Sequence, residues 1–189
     1  MQLTELAIGG VFEISPARYG DDRGYFSETF RTDWFATNVS NVTFVQENQS
    51  LSRKAGVVRG LHFQASPFAQ GKLVRCVAGA IFDVAVDIRM GSPTFGHWVA
   101  ATLTAEKGNQ LWIPVGFLHG FCTLTPATEV AYKVTSYYDK ASDKGVVWND
   151  PEIGIPWPEI ADPTTLSPKD QSQPRLAELT SYFQYGLRD

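Results

Sequence analysis

Apolar and polar positions alternate with a period of two along much of the chain. In the stretch Ile81-Phe82-Asp83-Val84-Ala85-Val86-Asp87-Ile88, Phe82, Val84, Val86 and Ile88 fall on one face. Asp83, Ala85 and Asp87 fall on the other, the pattern of a β-strand. Residues 129–135 alternate in the same way and put Tyr132 on the face of Val130 and Val134. The same reasoning predicts strands over residues 10–14, 42–48, 58–64, 72–77, 97–103 and 110–113. Turn signals separate them: Ala78-Gly79-Ala80, Met90-Gly91-Ser92-Pro93, Glu106-Lys107-Gly108-Asn109 and Pro114-Val115-Gly116. Short strands spaced by roughly 8–12 residues predict an all-β antiparallel barrel or jelly roll. Helix signals are few. Residues 32–36 suit a single turn, and residues 173–183 carry Leu176, Leu179 and Phe183 at helical spacing. From about residue 150 the chain is Pro-rich, with Pro151, Pro156, Pro158, Pro163, Pro168 and Pro174. Residues 150–189 are therefore expected to drape over the barrel, with a short helical C-terminal segment, and not to form a second domain.

Composition sharpens this picture. With 189 residues, 43% of them hydrophobic and 19% charged, residues 1–189 are expected to form one domain with a sizeable core. Aromatic residues at 13% favour strands. A net charge of −4 argues against nucleic acid as a partner. No apolar stretch approaches the roughly 18–20 residues that span a bilayer, and the N-terminus lacks the basic start and apolar core of a secretory signal. The expectation is a cytoplasmic protein without a membrane partner. Cys76 and Cys122 each sit in an apolar run and are expected to be buried free thiols.

The candidate chemistry rests on few residues. Of three histidines, His62 has Arg59 three positions before it and Lys72 ten after. Cations at that range depress an imidazole pKa and favour its basic form. His119 follows a Pro/Gly turn, and His97 is expected to be an ordinary hydrogen-bonded histidine. There is no His-x-His pair, which argues against a metal site. Neither a Gly-x-Ser-x-Gly elbow nor a phosphate-binding Gly-rich loop occurs. The residues by themselves lead to a barrel with a His-Lys-Arg-Tyr cluster, and leave an enzyme and a binding module both open.

Longer motifs add to this. Gln46-Glu47-Asn48, Arg59-Gly60-Leu61-His62-Phe63-Gln64, Ala69-Gln70-Gly71-Lys72-Leu73-Val74-Arg75 and Gly116-Phe117-Leu118-His119-Gly120-Phe121 run in order along the chain. So do Asp22-Arg23-Gly24-Tyr25-Phe26, Tyr132-Lys133, Tyr137-Tyr138, Trp148-Asn149-Asp150-Pro151 and Leu166-Ser167-Pro168-Lys169-Asp170. Together they resemble the dTDP-4-dehydrorhamnose 3,5-epimerase family over nearly the whole length. The resemblance implies a cupin-type jelly roll that acts without metal or nicotinamide cofactor on a dTDP-4-keto-6-deoxyhexose, moving protons at C3 and C5. It assigns His62 as general base, Asp170 as its partner, Tyr132 as the acid on the opposite face, and Lys72 as the cation at the 4-oxygen. It further implies Arg23, Arg59, His119 and Lys169 around the pyrophosphate. Glu28, Gln46, Glu47, Asn48, Tyr138 and Asp143 would stand around the nucleoside and sugar. A homodimer in which the N-terminal segment joins the neighbour's sheet belongs to the same resemblance.

Two points stay open. Strict alternation places Arg59 and His62 on opposite faces, so either a bulge at Gly60 or a subunit boundary must reconcile them. The chain also departs from the family pattern at Gln49 and Leu51, where the family carries His and Arg, and at Asp143, which is one methylene shorter than the common Glu. Those departures bear on nucleotide contacts more than on the proton chemistry. Competing readings are an epimerase of one carbon only, a cupin isomerase that shifts the keto group, and a non-catalytic nucleotide-sugar-binding barrel.

Overall fold

The computed structural model describes residues 1–186. Its strands run in the order β1 Gln2–Glu5, β2 Phe12–Ser15, β3 Tyr19–Asp21, β4 Gly24–Phe26, β5 Gln46–Ser52, β6 Val58–Gln64, β7 Lys72–Ala78 and β8 Ala80–Asp87. They continue with β9 Arg89–Met90, β10 Trp98–Thr104, β11 Gln110–Ile113, β12 Phe117–Thr123, β13 Thr128–Val134, β14 Asp143–Gly145 and β15 Phe183–Gln184. Two short helices, α1 Thr32–Asn38 and α2 Pro168–Gln171, interrupt them. A six-stranded sheet in the order β1-β2-β11-β7-β13-β5 faces a five-stranded sheet in the order β10-β8-β12-β6-β14. The pairing within both sheets is antiparallel, so the architecture is the expected cupin-type jelly roll.

Three apolar layers hold the sheets. Val74, Ile81, Leu103, Leu111, Ile113, Phe117, Phe121 and Val130 fill the lower interior. Phe35 of α1 packs edge-on against Trp112, closing a second cluster on the outside of the six-stranded sheet. The third lies outside the five-stranded sheet, where Phe63, Val84, Val86 and Leu118 meet Ile153, Leu176 and Phe183 of the C-terminal tail. The apolar face of β8 therefore points outward beneath the tail, while its Asp83 face lines the interior.

Most predicted strands appear within a residue or two of their expected limits. Residues 42–45 do not belong to a strand: Val42 and Phe44 pack on the α1 cluster, and β5 begins only at Gln46. β12 escaped prediction because all seven of its residues are buried, which erases the alternation. The helical spacing at 173–183 is misleading. Only a 3₁₀ turn forms, at Leu176–Glu178: the Glu178 carboxylate caps its start by accepting from the Arg175 N–H at 3.0 Å, and Leu179 leaves it in extended backbone. Leu176, Leu179 and Phe183 still pack on the barrel, with Phe183 in β15. The N-terminal strand, for which the sequence offers no hairpin partner, pairs in register with β2 of its own chain, Leu3 opposite Ile14. Both cysteines are free and buried.

Candidate active site

Alternation on facing strands builds a cavity between the upper ends of the two sheets. On the six-stranded wall, Tyr132 of β13 lies opposite Asn48 of β5, and Val134 lies opposite both Gln46 and Lys72. Lys72, Tyr132, Asn48 and Gln46 therefore share the inner face. On the other wall His62 of β6 and His119 of β12 are direct cross-strand partners. The next paired positions are Arg59 and Phe121, so three residues on β6 are spanned by two on β12. That bulge turns Arg59 to the same side as His62, and no subunit boundary is needed. Gly60 makes it possible: its φ is +116°, and a Cβ there would lie 2.7 Å from the Gly120 Cα and from the His119 carbonyl oxygen.

The result is a cavity of about 270 Å³ lined by Ser50, Arg59, His62, Lys72, His119, Phe121, Tyr132, Ser167 and Asp170. A contiguous hollow of about 210 Å³ shares His62, Lys72 and Tyr132 with it and adds Gln46, Asn48, Tyr138, Asp143 and Lys169. A larger hollow of about 620 Å³ on another side, bounded by Trp112, Val115 and Phe183, holds none of the expected site residues.

Asp170 arrives from far along the chain. Ser167 caps α2 and Pro168 occupies its first turn, so the short helix holds its place by local chemistry. This sets Asp170 Oδ1 2.5 Å from His62 Nε2 and leaves Nδ1 as the ring nitrogen free to take a proton. Burial holds the His62 pKa below the ordinary histidine value, against the opposing pull of Asp170 and with help from Lys169 and Lys72. Burial also works on Asp170, but the hydrogen bond and charge of His62 outweigh it and keep the carboxylate below its usual range. Lys72 is pulled down to about 8 by burial, with the charges of Asp143 and Asp83 acting in the other direction. Burial raises the Tyr132 hydroxyl, which stays protonated at neutral pH. The arrangement is a neutral base and a protonated phenol on opposite walls, with an ammonium on the phenol's wall.

A second couple stands beside the first. His119 Nε2 lies 2.7 Å from Asp83 Oδ1, and Asp83 is fully buried. In the sequence Asp83 shows only as a residue on the polar face of its strand. Ser50 and Ser167 also line the cavity without having been singled out. Ser50 was legible as the next alternate position after Gln46 and Asn48.

At the rim, Lys169 Nζ is 2.5 Å from Asp143 Oδ2 and the Tyr138 hydroxyl donates to the same oxygen at 3.2 Å. Three expected site residues are elsewhere. Glu47 is on the outer face of β5, paired with Lys133 at 3.0 Å, because it alternates with Gln46 and Asn48. Arg23 lies on the β3–β4 hairpin, bound to Asp21 and almost wholly exposed. Glu28 is exposed in the segment that follows. Gln49 and Leu51, the departures from the family pattern, alternate outward like Glu47, so they do not alter this chain's cavity.

A jelly roll that sets a base and an acid on facing walls beside a lysine is the framework of an epimerase acting on a carbon acid. A profile of the dTDP-4-dehydrorhamnose 3,5-epimerase family matches residues 5–178. The dTDP-4-dehydrorhamnose 3,5-epimerase of Sinorhizobium fredii is 57% identical over 185 residues, covering 98% of this chain and 94% of that one. The crystal structure of a Legionella pneumophila dTDP-6-deoxy-D-glucose-3,5-epimerase in complex with dTDP-4-keto-L-rhamnose superposes with a TM-score of 0.92 at 42% identity, covering 98% of this chain and 99% of that chain. The dTDP-4-dehydrorhamnose 3-epimerase of Streptomyces niveus is 41% identical over 179 residues, covering 94% of this chain and 85% of that one. The chain belongs to the dTDP-4-dehydrorhamnose 3,5-epimerase family and is an isomerase.

Proposed function

We propose that this protein epimerises dTDP-4-dehydro-6-deoxy-D-glucose at C3 and C5 to dTDP-4-dehydro-L-rhamnose, a step of dTDP-L-rhamnose synthesis, in the cytoplasm. The observation that carries the reading is the placement of His62 and Tyr132 on opposing sheets of one cavity. Inversion at carbon requires a proton to leave from one face and another to arrive at the opposite one. His62 Nδ1 takes the proton α to the 4-keto group, and Asp170 stabilises the imidazolium that forms. The electron pair moves onto the 4-oxygen. Imidazolium is a far stronger acid than the carbon acid, by on the order of ten pKa units at about 1.4 kcal/mol each, so the enolate needs a cation. Lys72 supplies it. The Tyr132 hydroxyl then delivers its proton to the other face of the carbon. Solvent returns a proton to the phenolate and takes one from the imidazolium, so each epimerised carbon ends with a solvent-derived hydrogen.

In this reading Arg59, His119 and Lys169 meet the pyrophosphate, with Tyr138 and Asp143 toward the nucleoside. Arg23 lines neither of the two site hollows of its own chain, and its hairpin exposes Tyr19, Tyr25 and Phe26 at 66%, 60% and 70%. An aromatic patch of this kind is a docking surface. It supports a homodimer in which the hairpin brings Arg23 and Glu28 to the neighbour's cavity. The exchanged element is then this hairpin, since β1 is paired at home.

The test is incubation with the 4-keto substrate in D2O after EDTA treatment, counting deuterium by mass and position. Label at both C3 and C5 is expected. Label at one carbon assigns a mono-epimerase, the reading that the Streptomyces niveus relative favours. No label with ligand bound leaves a binding barrel.

A further inference from the structure

Asp83 stands apart from every other acid in the cavity. It is fully buried, and one carboxylate oxygen meets His119 Nε2. Its other oxygen, Oδ2, is buried with no hydrogen-bond partner. An uncompensated acceptor at that depth costs on the order of 1–3 kcal/mol, more when charged, and a position that carries it calls for an explanation.

Register supplies one. On β8 and β12, Asp83 lies opposite Phe121, and Ala85 lies opposite His119. Asp83 is thus the diagonal neighbour of His119 on the inner face and meets its Nε2. Across the interior is Lys72, which pairs with no carboxylate among the described residues and on which the Asp83 charge acts. The other groups that face Lys72 are Asp143 from β14 and Lys169 and Asp170 from α2, with His62 from β6 and Tyr132 from β13. Asp143 is engaged by Lys169 at 2.5 Å, and Asp170 is engaged by His62. Among the described residues, Asp83 alone keeps a buried carboxylate oxygen without a hydrogen-bond partner.

We propose that Asp83 is a positioning residue for the epimerisation, a fixed negative charge that holds the Lys72 ammonium in its cationic form and locks the His119 ring against the substrate. The inference rests on the epimerase reading above and adds to it a reason for the half-satisfied acid. It gives the two histidine–aspartate couples separate duties: His62–Asp170 exchanges protons, and Asp83 holds charge without exchanging any. Burial without a compensating anion would leave Lys72 neutral over part of the working range, and a neutral amine stabilises an enolate poorly.

The variant that isolates the charge is Asp83→Asn, whose amide oxygen still accepts from the His119 N–H. Activity is followed from about pH 6 to 9.5, together with dTDP affinity and the melting temperature, the pH window being set by the ordinary His and Lys ranges. The expected result is an alkaline limb moved toward lower pH by about one unit, a loss of roughly tenfold in kcat at about pH 8.5. Near pH 6.5 kcat should stay within about threefold of wild type and dTDP affinity should be unchanged, because the lysine is charged there with or without the acid. Asp83→Glu, which restores the charge, should return the alkaline limb. If the amide does not fold, Asp83→Ser keeps a neutral acceptor and serves the same purpose. A profile that superposes on wild type, or a uniform loss at all pH values that Asp83→Glu does not restore, overturns the proposal. If wild-type enzyme itself shows no solvent exchange, the epimerase reading fails instead, and the two failures are told apart in one series.

Discussion

Two histidine–aspartate couples stand side by side in the cavity and are built in different ways. His62 and His119 are direct neighbours across β6 and β12. Yet Asp170 reaches His62 from a helical turn 108 residues further along the chain, whereas Asp83 reaches His119 from the adjacent strand. The side chain of His62 is 28% exposed, that of His119 only 9%. A base that cycles its proton needs a route to solvent and a partner that tolerates both charge states of the ring. Ser167 beside Asp170 and the rim ammonium of Lys169 give that partner its support. The Asp83 couple has neither, and is held between strands on both sides. In the proposed reading, similar residue types at 2.5 and 2.7 Å serve exchange in one place and fixed charge in the other.

The sharpest way to break this comparison is to remove each ring in turn. His62→Asn should lower the rate of solvent deuterium uptake by about 10³-fold, within the 10²–10⁴ range of a positioned base, while dTDP still binds. His119→Asn should act mainly on KM, because that ring lines the cavity without a proton to move. Equal losses of kcat in the two variants would erase the distinction between the couples. The next effect in size belongs to Asp170→Asn, which should cost about 10–100-fold in kcat by loosening the base and leaving the imidazolium unsupported. Its pH profile has a definite sign. Asp170 raises the His62 pKa against burial, so its loss lowers that pKa further. The base is then deprotonated down to a lower pH, and the acid limb moves in that direction while the plateau falls. A limb displaced upward would mean that Asp170 acts on some other group.

How much of this was legible in the sequence depends on the range of the contact. Alternation fixed most strands, and with them the common face of Gln46, Asn48, Tyr132 and Lys72. It failed at β12, which is buried on both faces, and at residues 173–183, where apolar spacing records packing of an irregular tail onto the barrel. It also could not tell inside from outside in β8. The apolar row is covered by a tail roughly 65 to 100 positions away, so the polar row, Asp83 included, is the interior one. The couple between His62 and Asp170 has no local signal, and only the resemblance to a family joined them.

The bulge that reconciles Arg59 with His62 gives the next prediction. Gly60→Ala would place a methyl group 2.7 Å from backbone atoms of β12 at a φ of +116°. About 2–4 kcal/mol of stability should be lost, read from denaturant unfolding. Because the strain falls between the two histidines, kcat should drop as well. A variant that keeps full stability would show that the register shift is not held by this residue.

The smallest expected effect comes from an acid pair outside the cavity. Glu47 and Lys133 lie 3.0 Å apart, a separation close to those of the two interior couples, but the Glu47 side chain is 44% exposed. Water screens such a pair, which is worth on the order of 0–1 kcal/mol. Glu47→Gln should therefore change the unfolding free energy by less than about 0.5 kcal/mol, and should leave kcat and KM where they are. The motif Gln46-Glu47-Asn48 makes Glu47 look like a site residue, and alternation turns it away, so the measurement sets the two arguments against each other. A KM raised several-fold with kcat intact would bring Glu47 back into nucleotide binding, in a homodimer by way of a second copy's cavity. An unchanged KM would confirm that a charge pair acquires chemical consequence here only where the sheets exclude water.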